Sequence, residues 1–154
     1  MTLTLHGYWR SSAAYRVRIA LHLKGLTYAQ VSHDLRTGEQ RAADYLAKNP
    51  QGFVPALEID GEVYAQSGGI IEMLDELHPD PPLLPPRPQD RAKARAMAAV
   101  IACDIHPLNN LRVLKALREI GADEPPWVST PAPWARCTRP RSTSCRCAPA
   151  GSRC

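Results

Sequence analysis

No run of about 18 apolar residues occurs anywhere in the 154-residue chain, so no membrane-spanning helix is expected. The N-terminus, MTLTLHGYWR, lacks a basic segment followed by an apolar one, which argues against a secretory signal and makes the cytoplasm the expected compartment. Cysteine is scarce before the tail: Cys103 stands alone in an apolar stretch, while Cys137, Cys145, Cys147 and Cys154 crowd the last 18 positions. Those four lack the paired CxxC spacing and nearby histidines of tetrahedral zinc sites, so no metal is expected. Nothing points to the oxidising compartment that a disulfide framework needs. Acid is missing from the tail altogether. Pro126 to Cys154 holds five arginines and no Asp or Glu, whereas the preceding part carries 14 basic against 15 acidic residues. The formal charge of +4 therefore belongs to the tail, and the remainder gives no reason to expect nucleic acid or a membrane as partner.

What is present is the composition of a soluble globular protein, 44% hydrophobic and 22% charged. The length accommodates one domain, or a small domain with part of a second. Leu3 and Leu5 alternate within Thr2 to Gly7, the pattern of a short strand. Ser11 and Ser12 cap a helix through AAYRVRIALHLK, with Val17, Ala20, Leu21 and Lys24 on one face and Gly25 at its end. Thr27 to Val31 reads as a second strand and Gly38 to Ala47 as a second helix. The pair Asp60-Gly61, between Leu57, Ile59, Val63 and Tyr64, signals a tight β-hairpin, and Pro55 before it marks a bend. Gln66-Ser67 caps a third helix over Gly68 to Leu77. The order βαβαββα describes an α/β thioredoxin-like domain over residues 1–80.

Six prolines within HPDPPLLPPRP make residues 81–89 a linker. Beyond it, Met97, Ile101, Ile105, Leu108, Leu111 and Leu114 recur every three or four residues along an expected buried stripe, in a helix that Pro107 should kink. Residues 90–125 thus read as the start of an all-α domain. Residues 126–154 show no periodicity and are expected to be disordered.

Four segments, WRSSAAYRVRIALHLKG, NPQGFVPALEIDG, QSGGIIEMLDE and ACDIHPLNNLRVLKAL, resemble in order and spacing the zeta-class glutathione transferases, which include maleylacetoacetate and maleylpyruvate isomerases. The resemblance implies a glutathione cofactor, a homodimer in full-length form and a small dicarboxylate substrate. It implies that Ser11 stabilises the glutathione thiolate, with Ser12 in support. A thiol of ordinary pKa near 8.5 needs such help at neutral pH, and a helix N-terminus adds positive potential. Gln40, Val54, Pro55, Gln66, Ser67, His106 and Asn110 are implied as further cofactor contacts. Val54-Pro55 would form the cis-proline loop, and Gln66-Ser67 would seat the γ-glutamyl carboxylate on a helix N-terminus. Arg10, counted with Ser11 and Ser12 among the catalytic residues, and Arg112 are the implied clamps for the substrate carboxylates. On an ideal helix Cys103, His106 and Asn110 share one edge, and Arg112 lies off it.

The implied reaction is addition of the thiolate to a cis double bond, rotation, and release of the trans isomer with glutathione regenerated. A general glutathione transferase or a dehalogenase would use the same thiol site, and a non-enzymatic binding protein could share the fold. Two departures stand out: Ala13 occupies the place where many family members carry cysteine, and Gly68-Gly69 weakens the first turn of a helix by up to about 1 kcal/mol per glycine. The family's second domain continues for roughly another 90 helical residues, as the resemblance implies. The Arg, Pro, Ser and Cys content of the tail is what a shifted reading frame of a GC-rich gene would encode, so a truncated or frameshifted product is expected.

Overall fold

The computed structural model describes residues 2–122, and the expectations for the tail lie outside them. Strand β1 (Leu3–Gly7) turns Leu3 and Leu5 to one face of the sheet and His6 to the other, as strand alternation requires. It is followed by α1 (Ser12–Leu23), β2 (Ala29–Ser32), a 3-10 turn at Glu39–Arg41, α2 (Ala43–Lys48), β3 (Ala56–Ile59), β4 (Glu62–Ala65) and α3 (Ser67–Leu77). The sheet order is β2-β1-β3-β4, with β1 parallel to β2 and antiparallel to β3, which pairs antiparallel with β4. This is the expected thioredoxin-like arrangement.

Leu3, Leu5 and Leu57 from the sheet meet Val17, Ala20 and Leu21 of α1 and Ile70 and Leu74 of α3 in one core. Each large side chain there contributes about 1.5 to 3 kcal/mol by leaving water. On the opposite face α2 lays Tyr45 against His6, ring centroids 5.6 Å apart. The hairpin between β3 and β4 turns through Asp60 and Gly61 at φ 48° and 95°, the pair of left-handed residues that a type I′ turn demands.

Four expectations need correction. The second strand starts two residues later than Thr27, because all four residues of β2 are exposed at the sheet edge and offer no burial pattern to read. The helix expected over Gly38 to Ala47 is broken at Ala42, whose extended ψ of 145° separates the 3-10 turn from α2. The single kinked helix expected from Asp90 is instead a series: α4 (Pro88–Ala99), a π-helical turn at Val100–Ile105, a 3-10 turn at His106–Asn109, and α5 (Leu111–Glu119). Pro107 brings no amide to the ladder, and the backbone widens before it and tightens after it. The apolar stripe is not buried: Met97, Ile101, Leu108 and Leu111 are all more than half exposed. Contacts divide the chain into one compact unit ending at Asp104 and a second beginning at Ile105.

His6, Lys24, Asn49 and Ser67 are the buried polar residues of the first unit, and Lys24 carries the charge among them. The Lys24 side chain is fully buried, and its ammonium donates to Asp75 Oδ1 at 2.5 Å and to the carbonyls of His78 and Pro81 at 2.5 and 2.6 Å. Asp75 Oδ1 also accepts the Leu83 amide at 2.8 Å. Burial alone would raise the Asp75 carboxyl, but these hydrogen bonds hold it below the usual carboxylate range. Its stabilisation is therefore complete above about pH 4 and is lost as pH falls through the lower folded value. Replacing Lys24 with Met strands Asp75 and two carbonyls. Urea unfolding at neutral pH should show a loss of about 3 to 5 kcal/mol, and a loss below about 1 kcal/mol would show that the ammonium is dispensable.

Candidate functional site

The register places four chain segments at one end of the sheet. Gly7 pairs with Ser32, His6 with Ala56 and Ala56 with Ala65, so the C-terminal ends of β1, β2 and β4 lie beside the N-terminal end of β3. From that end emerge Arg10 to Ser12, the turn holding Gln40, the Val54-Pro55 bend and Gln66-Ser67. The first unit thus gathers every candidate residue that precedes the linker.

Ser11 is the N-cap of α1: its Oγ accepts from the Ala14 amide at 3.1 Å, and its own amide donates to the Tyr8 carbonyl at 3.0 Å. The oxygen is engaged as an acceptor, so the hydroxyl hydrogen is available to a ligand beyond the helix end. Ser12 is exposed, as is Arg10, whose guanidinium lies 5.5 Å over the Trp9 ring.

The Val54-Pro55 peptide is cis, as the resemblance implies. The carbonyl just before it is held twice, by Tyr45 Oη at 2.6 Å and Asn49 Nδ2 at 2.8 Å, both donating to Phe53 O. Gly52 lies at φ 62°, where a Cβ would meet the Gln40 carbonyl and Leu46 at 3.2 Å. Close packing at a left-handed position thus joins this loop to the turn of Gln40. The Gln40 Oε1 is buried and has no hydrogen-bond partner among the described residues, a condition it shares with Tyr8 Oη, Arg18 Nε and His78 Nε2.

Gln66 adopts φ 68° and ψ 109°, a conformation that costs a non-glycine residue about 1 to 3 kcal/mol and that clusters at ligand sites. Its carboxamide donates to Gln51 Oε1 at 2.9 Å and does not cap α3. The first-turn amides of α3 are consequently left for a ligand. Ser67, buried beside them, accepts a hydrogen bond at 2.9 Å from Arg16 Nη2, a partner that sequence reasoning missed. Arg16 lies one turn into α1 with the look of an ordinary surface arginine, and only the packing of α1 on α3 reveals this contact.

Behind the sheet, His6 Nδ1 lies 3.0 Å from His33 Nε2 and His6 Nε2 lies 3.4 Å from Glu58, which also accepts from Lys48 at 2.7 Å. His33 stacks on His6 and meets Tyr45 at a tilt, with ring centroids 5.3 and 4.2 Å apart. The cluster supports the tyrosine that holds the Phe53 carbonyl.

In the second unit, His106 opens the 3-10 turn and Asn110 caps α5, its Oδ1 accepting from the Arg112 amide at 3.0 Å. Arg112 is exposed. The shared edge of Cys103, His106 and Asn110 is not formed, because Asn110 is extended (ψ 136°) and the backbone before it is not a continuous α-helix. Among the described residues no cluster of His, Cys, Asp and Glu could hold a metal, and no helix is long and apolar enough to cross a membrane.

Residues 5–82 match the glutathione S-transferase N-terminal domain, and the chain belongs to that family. It is 52% identical over 125 residues to the maleylacetoacetate isomerase of Pseudomonas aeruginosa, covering 79% of this chain and 59% of that protein. Its fold is similar to a bacterial zeta-class maleylpyruvate isomerase structure (TM-score 0.76, 45% identity, 78% of this chain and 57% of that one). It is also similar to the maleylacetoacetate isomerase of Methylobacterium extorquens AM1, solved with malonate and glutathione bound (TM-score 0.74, 50% identity, 77% and 56%). The chain spans less than three-fifths of the length of these proteins.

Within the cluster behind the sheet, His33 makes the support of the site acid-sensitive. Burial, and then the neighbouring His6, push the His33 imidazole below its ordinary value, against smaller opposing effects of Glu39 and Asp44. The unfolded chain therefore binds the proton more readily, and stability falls as pH drops below about 6.5. Thermal unfolding followed by circular dichroism should show the wild type losing stability between about pH 7 and about pH 5, and His33→Phe losing less. Parallel losses would place the acid sensitivity elsewhere.

Proposed function

We propose that this protein binds glutathione at the sheet end described above and acts as a glutathione-dependent cis–trans isomerase of maleyl compounds. The observation that carries the reading is the convergence of a serine-capped helix start, a cis Val54-Pro55 bend and an uncapped, strained Gln66-Ser67 helix start on one sheet end. These features match the parts of a γ-glutamyl tripeptide. The α3 amides and the Ser67 hydroxyl suit the γ-glutamyl carboxylate, the Val54 backbone suits the cysteinyl backbone, and Gln40 suits the glycyl end. Bound glutathione supplies a thiol whose reversible addition turns a cis double bond into a single bond that can rotate.

The chain's own groups do the rest. Ser11 donates its hydroxyl hydrogen to the sulfur, and the N-terminus of α1 adds positive potential that favours the thiolate. Ser12 supports the same end of the helix. Arg10, its guanidinium oriented over Trp9, binds a substrate carboxylate. Malonate in the related structure is a small dicarboxylate, which supports that substrate class over a general electrophile or an organic halide. His106, Asn110 and Arg112 complete the proposal as further cofactor and substrate contacts from the second unit. We place the working enzyme in the cytoplasm as a homodimer, in line with the zeta-class resemblance of its motifs.

Calorimetry on the folded chain should register binding at millimolar glutathione, and folded protein giving no heat would overturn the reading. With glutathione and maleylpyruvate present, NMR should follow loss of the cis isomer at a rate that depends on glutathione. Arg10→Ala should raise the substrate KM by about tenfold or more, as loss of a charge-assisted contact implies, while leaving glutathione affinity nearly unchanged. Equal losses for both ligands would make Arg10 structural.

A further inference from the structure

His33 lies behind the sheet on the side of α2 and has no place in the proposed chemistry. Its amide donates to the Gly7 carbonyl at 2.8 Å, which pins its backbone beside the end of β1. Its half-buried ring meets two buried ones, His6 with centroids 5.3 Å apart and Tyr45 with centroids 4.2 Å apart. The Tyr45 hydroxyl donates to the Phe53 carbonyl at 2.6 Å, and Asn49 Nδ2 donates to the same oxygen at 2.8 Å. Phe53 C=O and Val54 N–H belong to one trans peptide and point in opposite directions, so an anchored carbonyl fixes the heading of the Val54 amide. That amide is part of the backbone proposed to meet the cysteinyl part of glutathione.

The partners settle where the hydrogens lie. Glu58 accepts from Lys48 at 2.7 Å, and the Lys48 hydrogen bond, then that of His6, hold its carboxyl below the usual range, so it faces His6 as a carboxylate. A carboxylate only accepts, so neutral His6 keeps its hydrogen on Nε2, 3.4 Å from Glu58, and offers a bare Nδ1 to His33 Nε2 at 3.0 Å. His33 is therefore the donor through Nε2, and its Nδ1 is the nitrogen that takes up a proton. The other charged groups that reach it are Glu39 of the 3-10 turn and Asp44 of α2, while Asp34, beside it in the chain, is engaged by Arg36. Burial, and then His6, oppose the imidazolium more strongly than Glu39 and Asp44 favour it. A proton on His33 thus favours arrangements in which the ring leaves Tyr45 for water. Burial pushes the Tyr45 hydroxyl up, so it remains a donor throughout.

We propose that His33 is a positioning residue for glutathione: its neutral ring holds Tyr45 in the setting that anchors the Phe53 carbonyl, and a proton on it releases that hold and weakens binding. This rests on the glutathione reading and adds to it a residue that acts through Tyr45 from the far side of the sheet. By reciprocity, a bound ligand resists uptake of that proton. His33→Phe keeps a ring against Tyr45 without the titration, His33→Ala removes the ring, and Tyr45→Phe cuts the link to the Phe53 carbonyl.

A pH profile of affinity separates this role from a structural one. The probe is S-methylglutathione, titrated calorimetrically into the full chain with circular dichroism confirming the fold at each pH. It has no thiol, so ionisation beside Ser11 does not enter, and its carboxylates and amine keep their charge between about pH 7 and about pH 5.5. Wild-type affinity should fall at least about threefold over that interval, whereas His33→Phe and Tyr45→Phe should each lose less than about 1.5-fold. At about pH 7, His33→Ala should bind at least about threefold more weakly than His33→Phe, which restores the ring. A flat wild-type profile, a wild-type slope retained by folded His33→Phe or Tyr45→Phe, or equal affinities of folded His33→Ala and His33→Phe overturns the proposal while leaving glutathione binding in place. A folded wild type that fails to bind the probe at about pH 7 overturns the glutathione reading and this inference with it.

Discussion

The buried ammonium of Lys24 ties together the parts on which the site depends. It has three N–H donors, and three oxygens receive them: Asp75 of α3 and the carbonyls of His78 and Pro81 that follow that helix. Because Lys24 ends α1, the C-terminal ends of α1 and α3 are held at one fixed separation. Between them Val17 and Leu21 pack with Ile70 and Leu74. Two helices pinned at one end and packed along their length leave little freedom at the other, and that other end carries Ser11 and Ser67. The Arg16 to Ser67 hydrogen bond exists because the spacing is set this way. A buried charge is costly unless every donor is met, so the arrangement makes a sharp demand on the segment after α3. Residues 78–83 supply two carbonyls and one amide to the cluster and are therefore part of the fold's support.

A second set of constraints acts from the opposite face of the sheet. Tyr45 and Asn49 both donate to the Phe53 carbonyl, and the Tyr45 ring packs at a tilt against His33. The loop before Pro55 is thus positioned by α2 and braced by the imidazole cluster, independently of α1 and α3. The two halves of the site have separate supports. Mild acid acts on the histidine side, whereas the lysine side holds until its carboxylate is protonated. A ligand that needs both halves would feel the loss of either.

Local chemistry made much of this legible in the sequence. Asp60-Gly61 required a hairpin because two consecutive left-handed residues are costly for most side chains. Ser11 announced a helix start, and the spacing of Val17, Leu21 and Lys24 put the lysine on the apolar face of α1 where it is buried. What escaped depended on contacts distant in the chain. Arg16 and Ser67 are 51 positions apart, and no local pattern distinguishes Arg16 from Arg18. The edge strand β2 has no apolar alternation because neither of its faces is covered. Past the linker, periodicity misled: the apolar spacing from Met97 to Leu114 reads as one helix, yet a proline without an amide cannot sustain one. Apolar spacing alone also does not bury a face, and Met97, Ile101, Leu108 and Leu111 remain exposed.

The two glycines after Ser67 show how local preference yields to packing. Gly68 and Gly69 should loosen the start of α3, and a Cβ at either would meet nothing within 4 Å, so steric crowding does not call for glycine there. The helix nevertheless begins at Ser67, because burial of Ile70 and Leu74 outweighs a propensity deficit of about 1 kcal/mol per glycine. The absence of side chains has a consequence of its own. With no Cβ at two of the first three helical positions, the first-turn amides stay open from outside, and a ligand carboxylate can approach them without displacing protein atoms. Of the first three helical positions only Ser67 keeps a side chain, and its hydroxyl oxygen accepts from Arg16. On the proposed reading the same serine is both an element of the helix start and a ligand donor, as Ser11 is at α1. A structural contact and the proposed role are thus compatible at both serines: each hydroxyl oxygen accepts from the protein, Ser11 from the Ala14 amide and Ser67 from Arg16, which leaves the hydroxyl hydrogen able to be donated to a ligand.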